Sequence, residues 1–298
     1  MLDEHRIFSV RDAMAAGHSR FALRRVGLRT PYPGVRSWTA PPAPSDLFAR
    51  VAEYAPRLRE GQFFSHETAL ALIGAPLPAY PHVPGIHVST HRPRREPRVT
   101  GIHGHRLQTR EPAVLRTAHG WPVENPVRAW RQCASLWQID DLVAAADFLV
   151  TEGEPPVDPD ELYEEITRMG DTSARVLTRS LALSRFGPRS ASETRLRLLL
   201  VRRGLPEPEI SWVLRDAGGA FVAELDLAYP AWNVGVEYDG RVHAEDMRQF
   251  ARDADRWDAI RACGWDHVRI LFHHMRGDGT LAVRKVRDAL TRAGWRAP

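Results

Sequence analysis

Residues 221–238 constrain the fold more than any other part of the sequence. Residues 221–228 alternate between apolar and polar side chains, which is typical of a half-buried β-strand, and Asp226 lies on the polar side. After a turn, the apolar residues 234–236 predict a second strand that leads directly to Glu237. We expect the turn to bring Glu237 back alongside Asp226.

Two carboxylates in one poorly solvated place repel each other, and a divalent cation removes that repulsion. Mg²⁺ accepts one or two carboxylates together with water and phosphate oxygens, so Asp226 and Glu237 are candidate ligands for Mg²⁺ or Mn²⁺. The residues alone also allow an amphipathic hairpin whose two acids face water. Both interpretations stay open at this point.

Glu193 is a third candidate acid. Residues 190–203 predict a helix with an apolar stripe, and Glu193 lies one turn before Leu196 on that side. Ser190 and Glu193 also have the spacing of a capping box, in which the glutamate satisfies a free backbone N–H at the start of the helix. The two roles are compatible, and we keep both.

The residues around this acid pair resemble the core of the PD-(D/E)XK nuclease superfamily, in its very-short-patch-repair-like branch. Ten residues separate Asp226 from Glu237, where the sequence reads Glu237-Tyr238-Asp239-Gly240-Arg241-Val242-His243. A predicted helix with a glutamate precedes this core, and a long predicted helix over 243–262 and a Trp-x-x-hydrophobic-Arg-hydrophobic strand follow it. The resemblance covers residues 188–292 and implies a restriction-endonuclease-like mixed sheet flanked by helices.

The resemblance also implies roles for individual residues. Asp226 and Glu237 would bind the metal ion, with the carbonyl of Tyr238 as a third ligand. Glu193 would support the bound water. His243 would activate water or protonate the leaving oxygen.

One position departs from the superfamily pattern. The superfamily has a lysine two places after the second acid, where this chain has Asp239, and Lys285 lies far downstream. An aspartate cannot supply the positive charge that stabilises a pentacoordinate phosphate. We therefore consider Arg252, Arg256 or His243 as substitutes for that charge.

The N-terminal segment has the pattern of a DNA-binding module. Residues 10–16 and 19–26 predict two short helices, which is typical of a helix-turn-helix, and residues 30–35 suit a wing. The second predicted helix carries three arginines near one face, which are the candidate DNA contacts: Arg20, Arg24 and Arg25. Residues 17–25 and 64–78 resemble AbiEi-type antitoxins and regulators, whose winged helix binds DNA, and Gly34-Val35-Arg36 matches the family wing in part.

The charge distribution fits a polyanionic partner of the N-terminal half. Residues 1–150 carry 19 basic and 13 acidic side chains, whereas the whole chain has a net charge of +4. Arginines neutralise phosphates and release counterions, so this excess favours DNA as the partner. A solvated, arginine-rich surface explains the same excess without a partner.

Histidines and cysteines give weaker indications. Residues 80–123 alternate short β-like runs (85–90 and 99–107) with turn residues and carry five histidines: His82, His87, His91, His103 and His105. They lie mostly at alternating strand positions, which favours polar strand faces over metal ligands. Cys133 and Cys263 lack the spacing of a zinc site or a disulfide framework. No uninterrupted apolar stretch of about 18 residues occurs, so we expect a cytoplasmic protein without a membrane partner.

Together these patterns predict an α/β (α+β) fold in four regions: a winged-helix-like module (1–40), a mixed α/β AbiEi-like region (45–150), a helical connector (151–187) and a nuclease-like domain (188–298). The predicted activity is metal-dependent DNA endonuclease, with Mg²⁺ or Mn²⁺ and no small-molecule cofactor. The alternative is a non-catalytic DNA-binding regulator or antitoxin with a degenerate nuclease-like scaffold. A protein-binding module of a defence or toxin system is a third possibility.

Overall fold

The structure, a computed structural model, describes residues 7–24, 27–79, 81–111, 113–240 and 247–297, and the side chains of Ser173 and of residues 247–254 lie outside this description. Internal contacts divide the chain into two compact units. The first comprises the described residues up to Trp137 together with Asp160–Ala174. The second comprises Gln138–Pro159 and the described residues from Arg175 onward. No helix of the described ranges has the length and apolar character needed to cross a membrane.

Helices and strands occur in both units, so the fold is mixed α/β, as the sequence predicts. The helices are, in chain order, α1 (Val10–Ala15), α2 (Leu47–Tyr54), α3 (His66–Leu72), α4 (Pro126–Gln132), α5 (Ile139–Thr151), α6 (Pro159–Met169), α7 (Val176–Leu183), α8 (Ala191–Arg202), α9 (Met247–Ala262) and α10 (Thr280–Arg292). The strands are β1 (Ile7–Ser9), β2 (Val35–Ser37), β3 (Gln62–Phe64), β4 (Ile86–His91), β5 (Ile102–Leu107), β6 (Leu115–Arg116), β7 (Pro122–Val123), β8 (Glu209–Arg215), β9 (Phe221–Tyr229), β10 (Val234–Asp239) and β11 (Asp266–Leu271).

The N-terminal segment differs from the predicted helix-turn-helix. Helix α1 forms where it was expected, and Ser9 caps it by accepting a hydrogen bond from the Asp12 N–H. In the second predicted helix, the described residues form only a 3-10 turn over Ala22–Arg24, which Ser19 caps through the Ala22 N–H. Strands β1 and β2 pair antiparallel beside these elements.

The first unit also contains a five-stranded sheet in the order β5-β4-β3-β7-β6. Strands β4 and β5 run parallel, and their register sets His87 beside His103 and Ser89 beside His105. Helices α3 and α4 pack against each other in this unit. The sheet therefore gathers the histidines that the sequence distributes over residues 87–105.

The second unit is built on a four-stranded sheet in the order β11-β10-β9-β8. Strands β10 and β11 are parallel, whereas β9 runs antiparallel to both β8 and β10. One buried cluster joins this sheet to α8 and α10, and it contains Leu196, Leu200, Val236, Val283 and Val286. A second cluster joins the sheet to α9 through Leu225 and Ile260. The result is the mixed sheet flanked by helices that the sequence predicts.

Strand β8 is an element that the sequence prediction missed. It forms a hairpin with β9, and the Asp216 carboxylate stabilises the turn by accepting hydrogen bonds from the N–H groups of Gly218 and Ala220. The second unit also begins earlier in the chain than residue 188, because α5 packs against α7 and α8.

A buried ion pair ties α5 to α8. The Arg197 guanidinium lies 3.4 Å from the Asp147 carboxylate, and both side chains are almost fully buried. Thr194 donates a 2.8 Å hydrogen bond to the same carboxylate. Such a pair fixes how the two helices pack, because neither charge has access to water.

Candidate functional site

Asp226 and Glu237 lie on neighbouring strands, as the sequence predicts. Strands β9 and β10 pair with Leu227 opposite Val236, and the Tyr238 N–H donates a 2.8 Å hydrogen bond to Oδ2 of Asp226. Asp226, Glu237 and Tyr238 line one cavity of about 120 Å³. The turn after β9 therefore brings the two acids together at one place on the sheet.

Asp226 is in an environment that disfavours its ionised form. Burial and the negative charges of Glu193 and Glu237 raise the pKa of Asp226 to about 7. The hydrogen bond from Tyr238 and the positive charge of Arg256 act in the opposite direction. A positive charge added beside Asp226 would consequently stabilise its ionised form.

Glu237 is buried and has a partner on each carboxylate oxygen. The Arg256 guanidinium donates to Oε1, and His267 lies 2.8 Å from Oε2 through its Nε2. Arg256 also donates to the backbone carbonyl of Glu224 on β9. Glu237 is thus held between α9 and β11, and its charge is balanced inside the chain.

A second arginine completes the cavity. Arg269 on β11 pairs with Asp239, and its guanidinium carbon lies 3.8 Å from the centroid of the Trp257 ring. At the position of Asp239, the resemblance described in the sequence analysis leads to the expectation of a lysine. The lining therefore includes two positive charges, Arg256 and Arg269, near that position.

Glu193 has the cap role that its spacing predicts. Its carboxylate accepts 2.8 Å hydrogen bonds from the Arg189 N–H and from the Ser190 hydroxyl, and its own N–H donates to Ser190 Oγ. It is 9% exposed, and its charge reaches Asp226, whose pKa it raises. The cap and the electrostatic contact with the acid pair coexist in one side chain.

The donor set of this cavity fits a hard divalent ion in part. Asp226 and Glu237 supply carboxylate oxygens, and Mg²⁺ commonly takes only one or two carboxylates, with waters and phosphate oxygens completing its coordination. Over the described ranges, the acids of this cavity do not form a group of three ligand atoms within 4.8 Å of one another. An ion here would therefore bind at most two carboxylates of this cavity. The third predicted ligand is the backbone carbonyl of Tyr238.

Several predicted site residues are not brought to this cavity by any described contact. His243 and Arg25 lie outside the described residues, and the side chain of Arg252 does too. Arg20 and Arg24 are exposed in the first unit, as a DNA-contacting role requires. Of the proposed charge substitutes, Arg256 lines the cavity.

The sequence prediction missed three residues that contact the acids or line the cavity: Trp257, His267 and Arg269. A signal existed for two of them, because His267 and Arg269 alternate with the buried Val268 and Ile270 on one strand. Their pairing could not be predicted, since it depends on the parallel register that sets Glu237 beside Arg269.

Comparison with known proteins gives similarity without a described function. No family model matches the chain. Two uncharacterized proteins of Mycobacterium tuberculosis, MT2308 of strain CDC 1551 and Rv2248 of strain H37Rv, are each 29% identical to it over 185 residues, or 62% of this chain. The match spans 65% of the length of each of these relatives. The crystal structure of the RV2827C protein from the same species has 17% identity and a TM-score of 0.38, covering 60% of this chain and 71% of that one.

Proposed function

We propose that the second unit is a metal-dependent DNA endonuclease whose centre is Asp226 and Glu237. The observation that carries the proposal is the acid pair of half-buried Asp226 and buried Glu237 on the adjacent strands β9 and β10, in a cavity that Arg256 and Arg269 also line. Acids alone would favour water or a cation, whereas acids beside arginines suit a cation together with a phosphate.

The residues of the cavity divide the work of phosphodiester hydrolysis. Mg²⁺ or Mn²⁺, when bound, supplies a hydroxide nucleophile and neutralises charge on the scissile phosphate. Asp226 and Glu237 hold the ion, with the Tyr238 carbonyl as a further ligand and Glu193 orienting water. Arg269, fixed against Trp257, offers the positive charge that the superfamily lysine would otherwise provide.

The first unit delivers the DNA in this proposal. Arg20 and Arg24 are exposed, and together with Arg25 they belong to a basic N-terminal half. Phosphate contacts position a protein on DNA without specifying the sequence, so these arginines account for affinity and not for the choice of cleavage site.

The decisive experiment is a cleavage assay of the full-length chain on supercoiled plasmid and single-stranded DNA with Mg²⁺, Mn²⁺ or EDTA. We expect cleavage with either metal and none in EDTA. Asp226→Asn should reduce the rate about 100-fold or more, because loss of even an outer-shell partner of a bound metal costs up to about 100-fold. Asp258→Asn is the matched control, because this substitution removes the same charge at an exposed position of α9. DNA binding without cleavage by the wild type would reject the nuclease.

One observation favours the second candidate, a DNA-binding regulator with a nuclease-like scaffold. Both oxygens of Glu237 already have partners within the chain, Arg256 and His267. A balanced acid of this kind stabilises the sheet without any metal. The regulator predicts that Mg²⁺ and Mn²⁺ leave the thermal stability unchanged, whereas the nuclease predicts stabilisation by the bound ion.

A further inference from the structure

A group of histidine rings lies in the first unit, where the sequence favoured polar strand faces. His87 on β4 and His105 on β5 approach to 2.9 Å between Nδ1 and Nε2, and the His66 ring stacks on His105 with 3.9 Å between ring centroids. One ligand nitrogen from each of these three residues lies within 4.8 Å of the other two. His66, from the start of α3, is the member that the sequence did not single out.

Polar neighbours hold two of the three rings. Ser65 Oγ lies 3.0 Å from Nδ1 of His66, and Oε1 of Glu67 lies 3.5 Å from Nε2 of His87. The Glu67 carboxylate is itself fixed by the Gly85 N–H and by the indole N–H of Trp137. Histidines that bind metals usually donate their second ring N–H to a carboxylate or another oxygen, which orients the ring. This arrangement directs Nδ1 of His87 toward Nε2 of His105 and engages Nδ1 of His66, so Nε2 is the other ring nitrogen that His66 can offer to an ion.

The backbone of His66 has an unfavourable conformation. Its φ of 51° lies in the left-handed region, which is unfavourable for a residue with a side chain and is found most often at functional sites. The His66 N–H donates to Oε1 of Gln132, whose amide in turn donates to the buried Glu124. A buried hydrogen-bond chain therefore holds the residue in a conformation that helix formation alone does not require.

Three imidazoles select one class of metal. Imidazole suits zinc and the neighbouring late transition metals, whereas Mg²⁺ and Ca²⁺ require oxygen ligands. Zn–N bonds of about 2.0–2.1 Å in a tetrahedron set ligand nitrogens about 3.4 Å apart, and the nitrogens of the trio already lie within 4.8 Å of one another. Because an imidazole binds a metal in the plane of its ring, metal binding would require the stacked rings of His66 and His105 to turn toward a common point. His66 and His87 are buried, but His105 is partly exposed, which gives an ion a route from solvent.

We propose that His66, His87 and His105 form a binding site for a zinc-type divalent transition-metal ion. Three histidines leave the fourth tetrahedral position to water or a substrate atom, as in catalytic zinc sites. The site belongs to the first unit and shares no residue with the acid cavity of the second. It therefore does not depend on the proposed nuclease activity.

The test is a metal titration of the untagged, full-length chain after removal of bound metal with EDTA. Calorimetry with Zn²⁺ and the visible absorption of Co²⁺ report affinity and coordination. We expect one equivalent of Zn²⁺, a tetrahedral Co²⁺ band, and no competition by Mg²⁺. His105→Ala should weaken Zn²⁺ binding by more than about 100-fold and remove the Co²⁺ band. Circular dichroism checks folding, and His105→Gln replaces His105→Ala if the latter unfolds.

Two controls make the assignment specific. His103→Ala changes a histidine on the same strand, stacked on His87 but outside the trio, and should keep both signals. Asp226→Asn removes an acid of the other cavity and should also keep one equivalent of Zn²⁺. The proposal is overturned if the wild type binds Zn²⁺ no more tightly than His105→Ala. It is equally overturned if His103→Ala or Asp226→Asn loses the ion instead.

Discussion

The backbone N–H of Tyr238 donates a 2.8 Å hydrogen bond to the carboxylate of Asp226, and this contact joins β10 to β9 beside the acid pair. The contact stabilises an ionised Asp226, yet burial and the two glutamates outweigh it and raise the pKa to about 7. The resting chain therefore stores an electrostatic cost at this position, and that cost can be measured.

The first prediction is a pH dependence of stability. The pKa of Asp226 rises on folding from its ordinary value of 3.8 to about 7, so the folded chain holds the proton more tightly than the unfolded chain. In EDTA, the free energy of unfolding should therefore decrease as the pH rises from about 4 to about 7. Asp226→Asn should flatten the fall, and Asp258→Asn should not. Urea unfolding at several pH values measures the difference, and equal slopes for wild type and Asp226→Asn would contradict it.

The second prediction separates the two acids. Glu237→Gln keeps the shape of the side chain but removes the negative charge that pairs with Arg256 and contacts His267. We expect it to lower the free energy of unfolding in EDTA by about 2 kcal/mol, because it weakens hydrogen bonds to a charged group inside the fold. Glu209→Gln, at an exposed position of β8, should change it little. Unfolding with urea decides, and a Glu237→Gln chain as stable as the wild type would show that the pairing contributes nothing.

The third prediction concerns Arg269. If this residue supplies the charge of the absent lysine, Arg269→Ala should lower the cleavage rate about 100-fold while Mn²⁺ still stabilises the chain. Arg269→Lys should recover only part of the rate, because an ammonium keeps the charge but not the planar stacking on Trp257. Single-turnover cleavage and thermal melts with Mn²⁺ measure the two effects. Unchanged cleavage by Arg269→Ala would exclude the role.

The fourth prediction tests where DNA binds. Replacing Arg20, Arg24 and Arg25 together by alanine should weaken binding. The slope of log affinity against log salt should become shallower by about 0.9 for each phosphate that the variant no longer neutralises. Arg116→Ala, an exposed arginine elsewhere in the same unit, is the control. Fluorescence anisotropy over a range of salt concentrations gives both quantities. An unchanged slope in the triple variant would move the binding surface away from this segment.

The fifth prediction concerns stability alone. Arg197→Ala should lower the free energy of unfolding by about 3–5 kcal/mol, because it leaves the buried charge of Asp147 without its partner. Arg195→Ala, two residues away on α8, breaks the more exposed pair with Asp141 and should cost at most about 1 kcal/mol. Urea unfolding of the two variants compares them directly, and equal effects would mean that burial does not govern the outcome.

Local patterns predicted the acid hairpin because strand alternation and the turn after β9 act over a few residues. The same reasoning missed β8, although Ile210, Trp212 and Leu214 alternate and a glycine-containing turn follows them. That segment lies after a strongly predicted helix, and the two later strands already accounted for the acids. The alternation that predicts β8 is thus present in the sequence.

The partners of the acids could not be predicted from the sequence, for a different reason. His267 meets Glu237, and His105 meets His87, through parallel strand pairs whose registers no local pattern encodes. His66 joins its trio from a helix in a different part of the sequence. Four of the five histidines lie on β4 and β5 as predicted, whereas His82 precedes β4. Strand alternation does not say which rings face each other.

The contact between Arg256 and Glu237 changes what metal uptake would mean for this chain. A divalent ion that enters at Glu237 meets an oxygen already engaged by a guanidinium, so loading is an exchange of cations and not a simple addition. In the proposed metal site, Arg256 would compete with the ion for Glu237 at a local concentration that the fold sets and the buffer does not change. A nearby phosphate that accepts the released guanidinium would relieve this competition, so nucleic acid and metal would each tighten the binding of the other.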